Sequence, residues 1–549
     1  MTHLHGQIID FEGPTSLDII PSRNHYLNEK EVRHTDALIY SNASLDGYDA
    51  KSPIRELLFF PNSFKIIHER DDRIMQIKYL IFGILPDGRK AALILEGINI
   101  YFDVKKPSDM NIFEFTQTLN SISGENKWNM NYNKINMRSG KGYSAVSEDY
   151  FRLSFKASWV RKKALLYFID ILKWETFTDD VSHLERVVSR DTKFNWCSWN
   201  AIKRFKSYKR ESVCKLPKVF RVDVMDIEEI DYDISDIPVL FNDKCITETW
   251  DIEAYTSTGD MPDPLIKSDI VFCIGKTYQF KDSQDSLLNV CLMTKHSKPH
   301  KDFLTIKCKN QKDLIRANAM ITAKFMPEFI YGFNDSSFDW NFIIVKANAF
   351  GILPEIMECL NLSRDAKYEK SSHHEKTNTI KKWNCRSMNV KIQADLSRYA
   401  ITLQTPSHIN VDVRISLQKM ISNMSDTKSS LKYYLTKYGL SNKDDMPIHK
   451  LFKIYRDSVD IKSIYTTLEE RKIPIPKTLV DKREKNLEEM TDIAHYCVID
   501  ARRCHDLVLK VNIINDQREV SSIARVTLFD SFWYANSMKV QNLLVCKAS

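Results

Sequence analysis

Cys245-Ile-Thr-Glu-Thr-Trp-Asp-Ile-Glu-Ala-Tyr255 is the stretch from which the rest of the chain can be read. Its β-branched and aromatic residues have the character of a strand. In a strand, side chains at i and i+2 point to one face, so Asp251 and Glu253 project together from the strand's end. A turn follows over 257–264, then the strand-like runs Asp269-Ile-Val-Phe-Cys-Ile-Gly275 and Leu288-Asn-Val-Cys-Leu-Met293. The pattern next predicts a helix over 311–324, a short strand within Pro327-Glu-Phe-Ile-Tyr-Gly-Phe-Asn334, and a helix over 338–350. Antiparallel-looking strands followed by strand–helix alternation indicate an α/β domain around a central mixed sheet.

Three separated segments then supply the chemistry. Asp339 falls just after a turn, at the start of a predicted helix. Asp500 lies within a helix predicted over 487–509, and Tyr496 precedes it by one turn. Positions i and i+4 share a helix face, so the phenol and the carboxylate can address one site. Clustered carboxylates suit phosphodiester hydrolysis, in which two divalent ions roughly 3.5–4 Å apart activate water and stabilise the departing alkoxide. Hard cations such as Mg²⁺ take oxygen ligands rather than imidazole or thiolate. A tyrosine's ordinary pKa near 10 makes Tyr496 a positioning group, not a base. His495 also satisfies H-x-x-x-x-D ahead of Asp500 and is the competing candidate. The triplet Asp226-Ile-Glu228 repeats the Asp-Ile-Glu of the strand, but no turn-and-strand pattern follows it, so it reads as surface.

Composition narrows the class. The 549 residues, 43% hydrophobic and 28% charged, suit a globular chain of two to four domains. No apolar run approaches the roughly 18–20 residues that span a bilayer, and Met1-Thr-His-Leu-His-Gly6 does not open a secretory signal. An intracellular protein is expected. Fourteen glycines are well below the usual share, which argues against Gly-rich architectures. Eleven cysteines, an odd number with no C-x-x-C, read as reduced thiols rather than disulfides or a zinc ribbon. The net charge of +7 permits nucleic-acid binding without demanding it.

Charge is distributed unevenly. Lys203, Arg204, Lys206, Lys209, Arg210, Lys215, Lys218 and Arg221 crowd one stretch, and Asp223 to Asp236 reverses the sign. The basic stretch is either a solvated face or a strip that tracks phosphates beside a domain boundary. Upstream, Tyr79-Leu-Ile-Phe-Gly-Ile-Leu85 and Ala91-Ala-Leu-Ile-Leu95 read as a hairpin turning at Pro86-Asp-Gly88. A helix is predicted from Ala164, after Arg161-Lys-Lys163. Gly140-Lys-Gly-Tyr-Ser-Ala145 fits G-x-G-x-x-A, but no apolar strand leads into it. The polar loop 365–383 carries the adjacent pair His373 and His374, which lacks further ligands at metal spacing. Beyond residue 423 the chain reads mostly helical.

At these motifs the chain resembles the family-B DNA polymerases of eukaryotes and large DNA viruses. Trp250-Asp-Ile-Glu-Ala254 is similar to their first exonuclease motif. Pro327 through Asp339 is similar to the second, with Asn334 and Phe338 at its motif positions, and Tyr496-Cys-Val-Ile-Asp500 to the third. Ile392-Gln-Ala-Asp-Leu396, Leu431-Lys-Tyr-Tyr-Leu435, Ile523-Ala-Arg-Val-Thr527 and Met538-Lys-Val540 extend the likeness. The resemblance implies a ribonuclease-H-like 3′–5′ exonuclease domain over 244–515, preceded by an α+β template-binding domain over 1–235. Residues 520–549 would open a palm. Asp251, Glu253, Asp339 and Asp500 would hold two Mg²⁺ ions, replaceable by Mn²⁺, with Asn334 and Phe338 contacting DNA. Phe338 and Trp340 could stack on bases, with core packing the expected role of at least one of them.

The family's D-x-x-S-L-Y-P-S, K-x-x-x-N-S-x-Y-G and Y-G-D-T-D-S motifs are absent. The expectation is therefore an exonuclease that trims a primer–template or single-stranded 3′ end and does not extend DNA alone. A second chain would carry the polymerase domain. In a viral setting the location would be the nucleus or a cytoplasmic virus factory. A DNA-binding module of a split polymerase, with no activity of its own, is the alternative from a different class.

Overall fold

The stretch 246–255 forms the pivotal strand of a mixed sheet, because its hydrophobic side chains alternate with carboxylates over its second half. Trp250, Ile252 and Ala254 are buried, while Asp251 and Glu253 are half-buried on the opposite face. The computed structural model describes residues 4–13, 17–41, 56–71, 74–126, 128–138, 146–177, 188–190, 192–207, 213–228, 230, 233, 236–363, 385–392, 396–420, 429–440 and 446–548. The Gly140–Ala145 motif and the His373–His374 pair lie outside the described residues.

The strands of this sheet are β1 (Ile8–Phe11), β2 (Ile246–Tyr255), β3 (Ile270–Phe280), β4 (Ser286–Met293), β5 (Leu304–Cys308), β6 (Phe329–Gly332) and β7 (Ile409–Asp412). They lie in the order β1-β5-β4-β3-β2-β6-β7. β2, β3 and β4 form an antiparallel meander, and β6 and β7 continue it parallel to β2. This is the ribonuclease-H-like mixed sheet expected from the sequence, extended at the far edge by β5 and β1.

Helices cover both faces. On one side pack α1 (Gln311–Phe325), α2 (Asp339–Ala349) and α3 (Leu353–Leu360). Leu314, Ile315, Phe342, Ile343 and Met357 meet Trp250, Ile252 and Ile274 there in one apolar core. On the other side lie α4 (Ile448–Glu470) and the long α5 (Lys477–Val511). The buried residues of α5 include Met490, Ile493, Ala494, Cys497, Val498, Ala501 and Cys504, a three-and-four spacing that makes one stripe of the helix apolar. Asp251 and Glu253 point to this second side.

The preceding region holds a separate seven-stranded sheet and a four-stranded sheet. The expected hairpin is present: Ile74–Ile84 pairs antiparallel with Lys90–Glu96, and Gly88 takes the positive φ of 87° that the turn requires. One expectation needs correction. The helix predicted from Ala164 begins at Ser158, because Arg161 is an interior residue whose buried guanidinium donates to the Tyr101 carbonyl at 2.6 Å. The N-terminal residues reach across to the second sheet. β1 joins the second sheet, and the buried Arg23 pairs with Glu328 at 2.8 Å just before β6.

Residues beyond α5 form α6 (Ile513–Ala524), then helices Leu528–Trp533 and Asn536–Ala548. Arg518 of α6 pairs with Asp243 at 2.6 Å and lies over the Phe60 and Phe329 rings, so it joins both sheets to this C-terminal part. No helix among the described residues is long and apolar enough to cross a membrane.

Candidate active site

Backbone contact between β3 and α5 assembles the site. Gly275 stands opposite Asp251 in the β2–β3 register. A Cβ at Gly275 would lie 2.6 Å from the Cys497 carbonyl, so only glycine lets the helix approach this closely. The Cys497 Sγ accepts the Gly275 N–H at 3.1 Å and lies 3.4 Å from the Asp251 carbonyl. Asp251, Glu253 and Cys497 thereby bring a carboxylate oxygen or sulfur within 4.8 Å of one another. Immediately after Glu253 the β2–β3 register shifts, an irregularity that re-aims side chains at the strand's end.

The same turn of α5 brings Tyr496 and the buried Asp500 to this face. Tyr496 hydrogen-bonds Asp500. Burial, followed by the charges of Asp500, Glu253 and Asp251, holds its phenol far above the ordinary tyrosine range. The phenol therefore stays protonated at neutral pH.

Asp339 arrives from the other side of β2. Asn334 takes a left-handed φ of 66° after β6, a conformation asparagine tolerates, and the chain turns into α2 with Asp339 as its first residue. The Ile252 N–H, between Asp251 and Glu253, donates to the Asp339 carboxylate. Burial pushes this carboxyl up to about 7, the N–H groups of Asp339 and Ile252 oppose the rise, and the Asp412 charge adds to it.

Two carboxylates that sequence reasoning missed support this turn. Asp412 ends β7 and accepts from the N–H groups of Asn334, Ser336 and Ile415 and from the Ser336 hydroxyl at 2.5 Å. Asp335 is buried beside it and accepts the Trp250 indole N–H at 3.3 Å. Burial, then the charges of Asp412 and Asp339, raise Asp335 well above the ordinary carboxyl range. Neither residue had a recognisable spacing; the only clue was a short apolar strand ending in aspartate at Ile409-Asn-Val-Asp412.

The remaining candidates separate clearly. The Asn334 amide oxygen accepts from Arg414 at 2.8 Å, which fixes the side chain at the turn. Phe338 is half-buried against Phe342, with ring centroids 5.7 Å apart. Trp340 is buried against Trp250 and is a core residue, the packing role expected of at least one of these two aromatics. His495 does not join the carboxylates; its ring lies 4.7 Å from that of His300. Asp226 and Glu228 of the duplicate triplet pair with Arg204 and Lys203, each at 2.6 Å. Arg221 pairs with Glu69 and Glu96, and Lys218 with Asp36. Much of the described basic strip is thus committed to neighbouring acids rather than open to phosphates.

Residues 174–410 match the family model for the DNA polymerase family B exonuclease domain, a span holding Asp251, Glu253 and Asp339. Over that span the chain is similar to the exonuclease domain of family-B DNA polymerases. Similarity extends beyond that span. The chain is 31% identical over 499 residues to a protein named DNA polymerase beta from African swine fever virus (isolate Tick/South Africa/Pretoriuskop Pr4/1996), covering 90% of this chain and 37% of the relative. It is 22% identical over 295 residues to the DNA polymerase of Pyramimonas orientalis virus, covering 51% of this chain and 24% of that one. The chain thus spans little more than a third of the first of these relatives. Its fold is similar to the family B DNA polymerase of Pyrobaculum calidifontis, with a TM-score of 0.56 at 14% identity, over 89% of this chain and 50% of that one.

Proposed function

We propose that this chain is a metal-dependent 3′–5′ exonuclease that removes mispaired nucleotides from DNA ends during replication. The observation that carries this reading is the convergence of Asp251, Glu253, Tyr496 and Asp500 across the β2–α5 contact, with Asp339 tied to the Ile252 amide between the first two.

The donor set fits two Mg²⁺ ions, with Mn²⁺ as a substitute. Asp251, Glu253, Asp339 and Asp500 offer hard oxygen ligands, and a buried, charge-crowded carboxyl such as Asp339 is relieved by a cation. When bound, the ions would supply Lewis-acid activation of water and stabilise the departing 3′ oxygen. The Tyr496 phenol, held protonated beside Asp500, orients the attacking water or the scissile phosphate. Asn334, its oxygen held by Arg414, offers its amide NH₂ to the terminal nucleotide, and the half-buried Phe338 offers a ring edge.

The substrate is a primer–template or a single-stranded 3′ end. The region 1–235 would contact template, 244–515 would cleave, and 520–549 would lead into a palm. DNA synthesis is assigned to a polymerase portion outside these residues, which a second chain could supply. The setting is intracellular, in the nucleus or a virus factory.

Incubating the full chain with a 5′-labelled, 3′-mismatched primer–template tests the reading. Stepwise shortening in Mg²⁺ or Mn²⁺ that stops in EDTA is expected. DNA binding by the folded chain without cleavage in either metal would replace the reading with the inactive DNA-binding module.

A further inference from the structure

Outside the carboxylate site, one other described group of side chains has the make-up of a metal centre. His300 and Asp302 lie in the connection between β4 and β5, and His495 lies on α5. One ligand atom from each falls within 4.8 Å of the others. The Asp302 Oδ2 is 3.7 Å from His300 Nδ1 and 4.0 Å from His495 Nε2. A tetrahedral zinc site with bonds of 2.0–2.1 Å has ligand atoms about 3.3–3.4 Å apart, so an ion would draw the three side chains inward and replace the Asp302 N–H that His300 Nδ1 accepts at 3.3 Å.

The two sides are already held together. The His300 ring stacks on the buried Phe303 with centroids 4.7 Å apart, and the His300 carbonyl accepts the Gly6 N–H at 3.0 Å. The Lys298 N–H donates to the Thr491 hydroxyl at 2.7 Å, one turn before His495. The Lys298 ammonium meets Glu488 at 2.9 Å and Glu484 at 3.2 Å on the same helix. The imidazoles therefore come from two elements whose spacing is fixed before any ion binds.

We propose that His300, Asp302 and His495 form a binding site for a divalent transition ion of the zinc class. Two imidazoles and one carboxylate select Zn²⁺ over Mg²⁺, which prefers an all-oxygen set. Water fills the fourth position, with Asp492 near enough to His300 to act on it electrostatically. Because His495 immediately precedes Tyr496, the ion braces α5 against the β4–β5 connection at the turn that carries the phenol. This site does not depend on the exonuclease reading.

Zn²⁺ alone is titrated into the chelator-treated full chain, carrying Asp251→Asn and Glu253→Gln to silence the carboxylate site. Calorimetry and the visible spectrum of the Co²⁺ form are read. Saturable binding of one ion per chain is expected, with a tetrahedral Co²⁺ spectrum. Replacing an imidazole by His300→Ala or His495→Ala should weaken it at least about 100-fold, since losing even a supporting contact costs 10–100-fold. Asp302→Asn, at an exposed position, carries the test if a histidine variant fails to fold. The proposal is overturned if folded protein shows no saturable Zn²⁺ binding, or if the variants bind as tightly as their parent.

Discussion

Gly275 and Cys497 are in backbone contact: a Cβ on Gly275 would sit 2.6 Å from the Cys497 carbonyl carbon and oxygen. That closeness sets the distance from Asp251, paired with Gly275 across the sheet, to Tyr496 and Asp500 on either side of Cys497. Gly275→Ala forces the helix outward. A misplacement of about 1 Å costs roughly 100-fold in rate, and overpacking costs about 1–3 kcal/mol in stability. Cleavage kinetics and urea unfolding of the variant check both; wild-type values in each would show that the contact is not needed.

Tyr496 and His495 are adjacent in sequence, yet their side chains serve different surroundings. Tyr496→Phe removes the hydroxyl beside Asp500 and is expected to lower kcat about 10²–10³-fold, the range for one positioned donor. His495→Ala, assayed in Mg²⁺ without transition metals, should stay within about threefold of wild type, since the residue contributes nothing to the carboxylate cluster. Reversal of this order in single-turnover assays would favour the histidine as the catalytic group.

Asp412 holds the turn that delivers Asp339 by accepting from three backbone N–H groups and the Ser336 hydroxyl. Asp412→Ala leaves these buried donors without that acceptor. The expected loss is about 3 kcal/mol or more, with a parallel fall in cleavage, because hydrogen bonds to charged groups are each worth about 1.5–3 kcal/mol. Chemical denaturation of the purified variant measures it.

The Asp243–Arg518 pair predicts an acid-sensitive link. Burial works to raise the Asp243 pKa, but the charges of Arg518 and Lys281 outweigh it and bring it down to about 2 from an ordinary 3.8. A carboxyl depressed in the folded state stabilises above its unfolded pKa and loses that contribution as pH falls through the folded value. About 2 kcal/mol should therefore disappear between about pH 4 and pH 2, at 1.36 kcal/mol per unit. Comparing unfolding of wild type and Asp243→Asn across that window checks it: the variant should show a shallower dependence.

Much of this arrangement is legible in the sequence because strands and helices impose simple periods. Asp251 and Glu253 at i and i+2, and Tyr496 and Asp500 at i and i+4, fall on shared faces by period alone. Residue type and turn chemistry mark the strand supplying Asp251 and the helix headed by Asp339. What escapes the sequence depends on contacts between segments far apart along the chain. Gly275 looks like an ordinary strand glycine until α5 is laid across it. Asp412 matters through donors at residues 334, 336 and 415. The pairing of β1 with β5 is not legible because a four-residue strand carries no signal of which sheet edge it will join. Arg161 reads as flanking the helix, yet it lies inside because its guanidinium finds a buried carbonyl.

The most direct measurement is single-turnover digestion of a 5′-labelled, 3′-mismatched primer–template in Mg²⁺ by wild type and by Asp251→Ala/Glu253→Ala. The account predicts a ladder of products shortened from the 3′ end for wild type. For the double variant, shown folded by its melting curve, it predicts a loss of at least about 10³-fold, as expected when groups acting as a unit are removed. Shortening by the double variant at the wild-type rate would contradict the assignment of the site.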